Sequence, residues 1–204
     1  LERYSKIILL IKICFQGQVG RIMTRKHGPW TIKETTLKYR HKLIEVYEHQ
    51  VIKPDGSHGI YATVKVNPGV SVLALDEDGM VYLAREFRYA IGANSLEVVS
   101  GAIDDGEQPI DSARRELKEE LGIEAGEWTE LGRVDPITSI IDSPSSLFLA
   151  RGLTFKEKKN EGSERIEVVK VSLGEAARMV IDGEITHGAS CVLILRALAH
   201  VSKK

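Results

Sequence analysis

Apolar and polar residues alternate through the first third of the chain. Trp30–Leu37, Leu43–Val51 and Ile60–Val66 repeat with the period of two expected of half-exposed β-strands. The Lys53-Pro-Asp-Gly-Ser-His-Gly59 segment is built from turn residues and predicts a hairpin loop. One face of these strands is rich in charge, so they are expected to form a small antiparallel sheet of their own. Val70–Leu75, Met80–Glu86 and Leu96–Val99 are denser in apolar residues and read as core strands, with Asp76-Glu-Asp-Gly79 as a hairpin turn. Trp128–Val134, Ser145–Ala150 and Ile166–Val171 predict further strands.

The period changes after Gln108. At about 100° per residue, Ile110, Ala113, Leu117 and Leu121 share one stripe, the face of a helix that packs on a core. Ser172-Leu-Gly-Glu175 is a capping box that opens a second helix through Ile181, and Asp182-Gly183 ends it. His187–His200 predicts a last helix, with Val192, Leu195 and Ala199 along one side and Leu193 and Ala197 near it. Strands on both sides of one helix, and further helices late in the chain, predict an α+β sandwich: a mixed sheet with helices on its two faces.

Composition narrows this picture only in places. With 204 residues and 43% hydrophobic content, the chain has the material for one sizeable core plus a small addition. The expected divisions are an extension over 1–22, an N-terminal β subdomain over 23–68 and the main domain over 69–204. The apolar run Ile7–Phe15 is too short to span a bilayer, is interrupted by Lys12 and leads to no small-residue cleavage site. Met23 is the expected start of the folded protein, and a chain beginning there is expected to fold and turn over substrate. A formal net charge of −1 argues against a dedicated nucleic-acid binder, and no membrane partner is expected. Cys14 and Cys191 form no disulfide framework and have no zinc-site spacing, which suits a reducing cytoplasm. Lys156–Arg165 is polar, charged and glycine-bearing, and is expected to be a mobile loop.

The chemistry gathers around the first helix. Glu116 and Glu120 are i,i+4 neighbours with Glu119 beside both, and Asp104, Asp105 and Glu107 precede them. Like charges so placed repel by roughly 0.2–0.5 kcal/mol per pair on an open helix. A solvated helix face is the plain account of one E-x-x-E-E. The added acid at the same end points to a hard divalent cation, which takes carboxylate oxygens as ligands.

The run GAIDDGEQPIDSARRELKEELGI, residues 101–123, resembles the Nudix box at each fixed position. Gly101, Glu107, Arg115, Glu116, Leu117, Glu119, Glu120, Gly122 and Ile123 carry the match. The resemblance extends over roughly Val70–Ala199 and implies the α/β/α sandwich with a mixed sheet, beside the small N-terminal antiparallel sheet. It implies Mg²⁺, with Mn²⁺ able to stand in, held by Glu116 and Glu120. Glu119 would share a further ion, and the Ser100 backbone carbonyl would complete the shell. Arg115 would orient the carboxylates and Glu107 would brace the loop against the helix. A glutamate of the later loop is implied as general base, Glu164 first and Glu161 in reserve. Arg88 is the implied contact to a substrate diphosphate, with Arg85 as competitor.

The ADP-ribose pyrophosphatase branch is the one most resembled, and there N-terminal sheets exchange between two subunits, so a homodimer is implied. Its proline loop, S-P-G-x-S-x-E, is matched only loosely by Asp135–Pro144. Pro136 and Ser139 fit, Ile137 stands at the glycine, and Asp142 is nearest to the missing glutamate. The resemblance implies hydrolysis of the pyrophosphate bond of ADP-ribose or another nucleotide sugar. Another Nudix substrate (GDP-mannose, coenzyme A or an oxidised nucleotide) and a non-catalytic nucleotide-sugar sensor stand as alternatives.

Overall fold

The computed structural model describes residues 24–156 and 166–203. The expected 1–22 extension, Met23 and most of the 156–165 loop lie outside the described residues. The chain divides between Val64 and Lys65 into two compact units.

In the N-terminal unit the alternating segments form strands β1 (Arg25–His27), β2 (Trp30–Arg40), β3 (Ile44–Ile52) and β4 (His58–Val66), paired in that order. Alternation leaves little of this sheet fully buried: Ile32 and Val51, cross-strand partners, are buried, whereas Leu37, Tyr39 and Ile60 are exposed. Trp30 and Tyr61 pack edge to face with centroids 5.5 Å apart.

The second unit holds strands β5 (Gly69–Leu75), β6 (Met80–Arg88), β7 (Ala93–Glu97), β8 (Val99–Ala102), β9 (Ile123–Val134), the short β10 (Ile141–Asp142), β11 (Ser145–Phe155) and β12 (Glu167–Ser172). Helices α1 (Pro109–Leu121), α2 (Leu173–Ile181) and α3 (Gly188–Val201) complete it. The sheet runs β12-β6-β5-β11-β9, with β7 on β6 and β8 on β5. β11 lies parallel to β5 and antiparallel to β9, so the sheet is mixed.

Both faces of this sheet are covered, which is why its central strands are apolar without interruption. On one face Val70, Val72, Ala74, Tyr82 and Ala84 pack with Ala113, Leu117 and Leu121 of α1. On the other, Leu73, Leu75, Val81 and Leu83 pack with Leu173 and Ala176 of α2 and Leu193, Ile194 and Ala197 of α3. The alternation Val81/Tyr82/Leu83/Ala84 thus assigns each side of β6 to a different helix layer. The α/β/α sandwich expected from the sequence is the observed architecture.

The helix ends follow their caps. Ser172 Oγ accepts the Glu175 N–H at 3.1 Å, as a capping box requires. α1 ends at Gly122, whose left-handed φ of 66° lets its N–H reach back to the carbonyls of Leu117 and Lys118 in the last turn. β9 then begins at once, at Ile123, five residues before the expected Trp128. Gly126 lies within the strand beside Gly152 of β11, where a Cβ would stand 3.7 Å from the Gly152 carbonyl oxygen.

Candidate active site

Helix α1 presents its acids where β8 runs beneath it. Of the expected stripe, Ala113, Leu117 and Leu121 are buried and Ile110 packs partly against the same cluster. Burial of the stripe fixes the rotation of the helix, and Glu116 and Glu120 consequently turn toward β8. Gly101 lies directly below: a Cβ there would stand 2.0 Å from Glu116 Cδ. Glycine at this position is the space that the Glu116 carboxylate occupies.

Glu120 is the most perturbed acid of the group. Burial, reinforced by the charge of Glu116, pushes its carboxyl up to about 8, while Arg88 and a hydrogen bond from the Ser100 backbone act the other way. Burial also raises Glu116, against the pull of Arg115. Both carboxyls are raised chiefly because they are buried side by side.

Arg115 organises the rest. Its Nη1 donates to Glu116 Oε1 at 2.6 Å and to Glu119 Oε2 at 3.3 Å, and its Nη2 donates to the Ala102 carbonyl at 3.1 Å. Nε and Nη2 donate to the two oxygens of Glu107 at 3.2 and 3.1 Å. Glu107 also accepts the Ser112 hydroxyl at 2.6 Å and the Asp104 N–H at 3.3 Å. Hydrogen bonds from Arg115 and then Ser112 hold the Glu107 carboxyl down at about 2. Glu107 therefore ties the acidic turn to the helix. Ser112, fully buried off the predicted stripe, was not singled out in the sequence; the Glu107 carboxylate that accepts its hydroxyl makes that burial tolerable.

Glu119 is more open to solvent, its side chain 60% exposed, and it shares Arg115 Nη1 with Glu116. Among the described residues, no three histidine, cysteine, aspartate or glutamate groups already converge as a metal cage. The donor set nonetheless suits a hard cation. Two carboxylates crowd one another under partial burial, and a divalent ion held by Glu116 and Glu120 would supply the charge that Glu120 lacks.

The two candidate arginines lie on opposite sides of β6. Continuing the alternation beyond Ala84 puts Glu86 and Arg88 on the α1 face, and both act electrostatically on Glu120. Arg88 Nη1 is 2.9 Å from Glu86 Oε2. Arg85 falls on the other face, bonded to Glu167 at 3.2 Å beside a shallow cavity that Asn94 and Ile166 also line. The parity of β6 separates them, a signal available in the sequence. Glu161 and Glu164 lie outside the described residues. The loop from Asp135 to Pro144 makes a turn in which the Ile137 carbonyl accepts the Ile141 N–H at 2.9 Å.

The model of the NUDIX domain family matches residues 65–184. The ADP-ribose pyrophosphatase of Bacillus subtilis (strain 168) is 31% identical over 146 residues, 71% of this chain and 79% of that protein. The ADP-ribose pyrophosphatase of Mycobacterium tuberculosis is 28% identical over 173 residues, 83% of each. A crystal structure of an ADP compounds hydrolase superposes with a TM-score of 0.76 at 20% identity, over 88% of this chain and 98% of that one.

Proposed function

Because this chain belongs to the Nudix family and is a pyrophosphohydrolase, we propose that it splits the diphosphate of a nucleotide sugar, with ADP-ribose the foremost candidate. The products are a nucleoside monophosphate and a sugar phosphate. The observation that carries this is the pair Glu116 and Glu120, crowded under partial burial beside Arg88. The names of the two similar bacterial enzymes support ADP-ribose over other diphosphates.

Glu116 and Glu120 would hold Mg²⁺, with Mn²⁺ able to replace it, and Glu119 and the Ser100 carbonyl would complete the set. Bound there, the ion would neutralise non-bridging phosphate oxygens and lower the pKa of water. Arg115 holds the Glu116 carboxylate in place through its 2.6 Å bond. Arg88, on the same face, offers guanidinium N–H groups to the diphosphate. Glu164 is proposed to take the proton from the attacking water, with Glu161 as its substitute; this rests on the family resemblance. Arg85, on the far side of β6, is assigned a lesser part.

A homodimer formed through the N-terminal sheet is part of the proposal. Exposed Leu37, Tyr39 and Ile60 are the apolar residues such a contact would cover. No described helix is long and apolar enough to cross a membrane; a cytoplasmic setting is proposed from the cysteine usage. Incubation with ADP-ribose, GDP-mannose, coenzyme A and nucleoside triphosphates in Mg²⁺, with release of monophosphate measured, tests the substrate. Preference for ADP-ribose is expected, and preference for another compound would reassign it.

A further inference from the structure

We propose that Glu97 is a positioning residue for this reaction: it fixes the Arg88 guanidinium on the α1 face of the sheet, oriented before a diphosphate arrives. The proposal rests on the assignment of Arg88 to the substrate diphosphate made above.

A charged residue inside Leu96-Glu97-Val98-Val99 is out of keeping with its neighbours, and the structure buries it to 6% exposure. Acidic side chains are rarely so buried unless paired. The partner is Arg88, whose Nε donates to Glu97 Oε1 at 3.2 Å and whose Nη2 donates to Oε2 at 2.8 Å. That two-point bond sets the plane of the guanidinium as well as its place.

Strand register explains how the two meet. Glu97 stands opposite Ala84, Ser95 opposite Glu86, and Ala93 opposite Arg88. Arg88 therefore reaches back along the hairpin over small side chains to bond Glu97. An arginine has several rotatable bonds and would otherwise sample many orientations at this half-exposed position.

Glu97 is itself held from behind. His187, which precedes α3, places Nδ1 3.3 Å from Glu97 Oε2 and 2.8 Å from the Ser190 hydroxyl. Ser190 is fully buried, and its Oγ accepts the Val98 N–H at 3.0 Å. The start of α3 thus grips the β7 segment at both the Glu97 side chain and the backbone beside it. Burial opposes ionisation of Glu97, but the hydrogen bonds from Arg88 and the charge of His187 outweigh it, and the carboxyl stays below its usual range. Of the five guanidinium donors, Glu97 takes two and Glu86 engages Nη1, so donors remain for an anion on the α1 face.

The test is a double-mutant cycle on the full chain with ADP-ribose and Mg²⁺, using Glu97→Gln, Arg88→Gln and the double variant. Thermal unfolding by circular dichroism is followed for each. Glu97→Gln is expected to lower kcat/KM about tenfold or more, chiefly by raising KM, and to change it less than about twofold when Arg88 is already Gln. Glu97→Asp keeps the charge on a shorter stem and should recover part of the loss. It also carries the cycle if the Gln variant does not fold. Glu97→Gln within twofold of the wild type, or an equal loss in both backgrounds, would overturn the proposal. A wild type that splits no nucleotide diphosphate defeats the assignment of Arg88 instead.

Discussion

Replacing Gly101 by alanine adds one methyl group at the point where β8 meets helix α1. The Cβ would lie 2.0 Å from Glu116 Cδ, 2.1 Å from its Oε1 and 2.5 Å from its Cγ, where ordinary contact begins at 3.4 Å. Gly101 is not among the glycines with positive φ, so alanine fits the backbone and the effect is purely steric. Either the strand or the side chain must move. β8 is held in register against β5, with Gly101 opposite Val70, and overpacking that moves such a strand costs about 1–3 kcal/mol. Swinging Glu116 away breaks its 2.6 Å bond to Arg115, a charge-assisted bond with a net worth of about 1.5–3 kcal/mol. The two routes cost alike, and both displace the Glu116 carboxylate from beside Glu120. The expected outcome is a folded protein, destabilised by about 1–3 kcal/mol, with hydrolysis reduced at least about 10–100-fold. Urea unfolding and Mg²⁺-dependent monophosphate release measure the two effects. A Gly101→Ala variant with wild-type turnover would show that Glu116 is not needed where the structure places it.

Three further outcomes are expected. Glu107 is held at about 2 against an ordinary 4.5, so the stability it contributes is complete above pH 4.5 and is lost as pH falls toward 2. Glu107→Gln should therefore melt lower at neutral pH, with the gap to the wild type closing between pH 4.5 and 2; parallel melting curves across that window would contradict this. Leu117 is fully buried on the α1 stripe, and Leu117→Ala should lose about 2–5 kcal/mol in urea unfolding, whereas a loss below about 1 kcal/mol would mean the helix is not seated by that residue. Glu164→Gln should slow hydrolysis by about 10²–10⁴ while leaving Mg²⁺ binding intact, and a near-normal rate would move the proton transfer to Glu161 or to another group.

Much of the fold was legible because period and burial coincide. The stripe through Ala113, Leu117 and Leu121 and the dense runs of β5 and β6 each had one way to hide their apolar faces. Glu107 as the brace of the acidic turn also followed from the sequence, by resemblance. Three features were not legible. β9 begins at Ile123 because Ile123, Glu124 and Ala125 pair with Phe155, Thr154 and Leu153 of β11, and a pairing between distant residues leaves no local trace. The bond from Arg88 to Glu97 depends on cross-strand register, which neither residue reveals alone. The space above Gly101 is a property of the helix and strand together, although the glycine was already marked by its place in the box.

The central claim is that Glu116 and Glu120 hold a divalent cation against a diphosphate. Its most direct test is Mn²⁺ binding, followed by electron paramagnetic resonance in the wild type and in Glu120→Gln, with ADP-ribose hydrolysis measured on the same samples. The wild type should bind the ion and release AMP, and Glu120→Gln should bind it far more weakly and lose turnover by orders of magnitude with its fold intact. Equal binding and turnover in the two proteins, or undiminished wild-type hydrolysis in excess chelator, would contradict it.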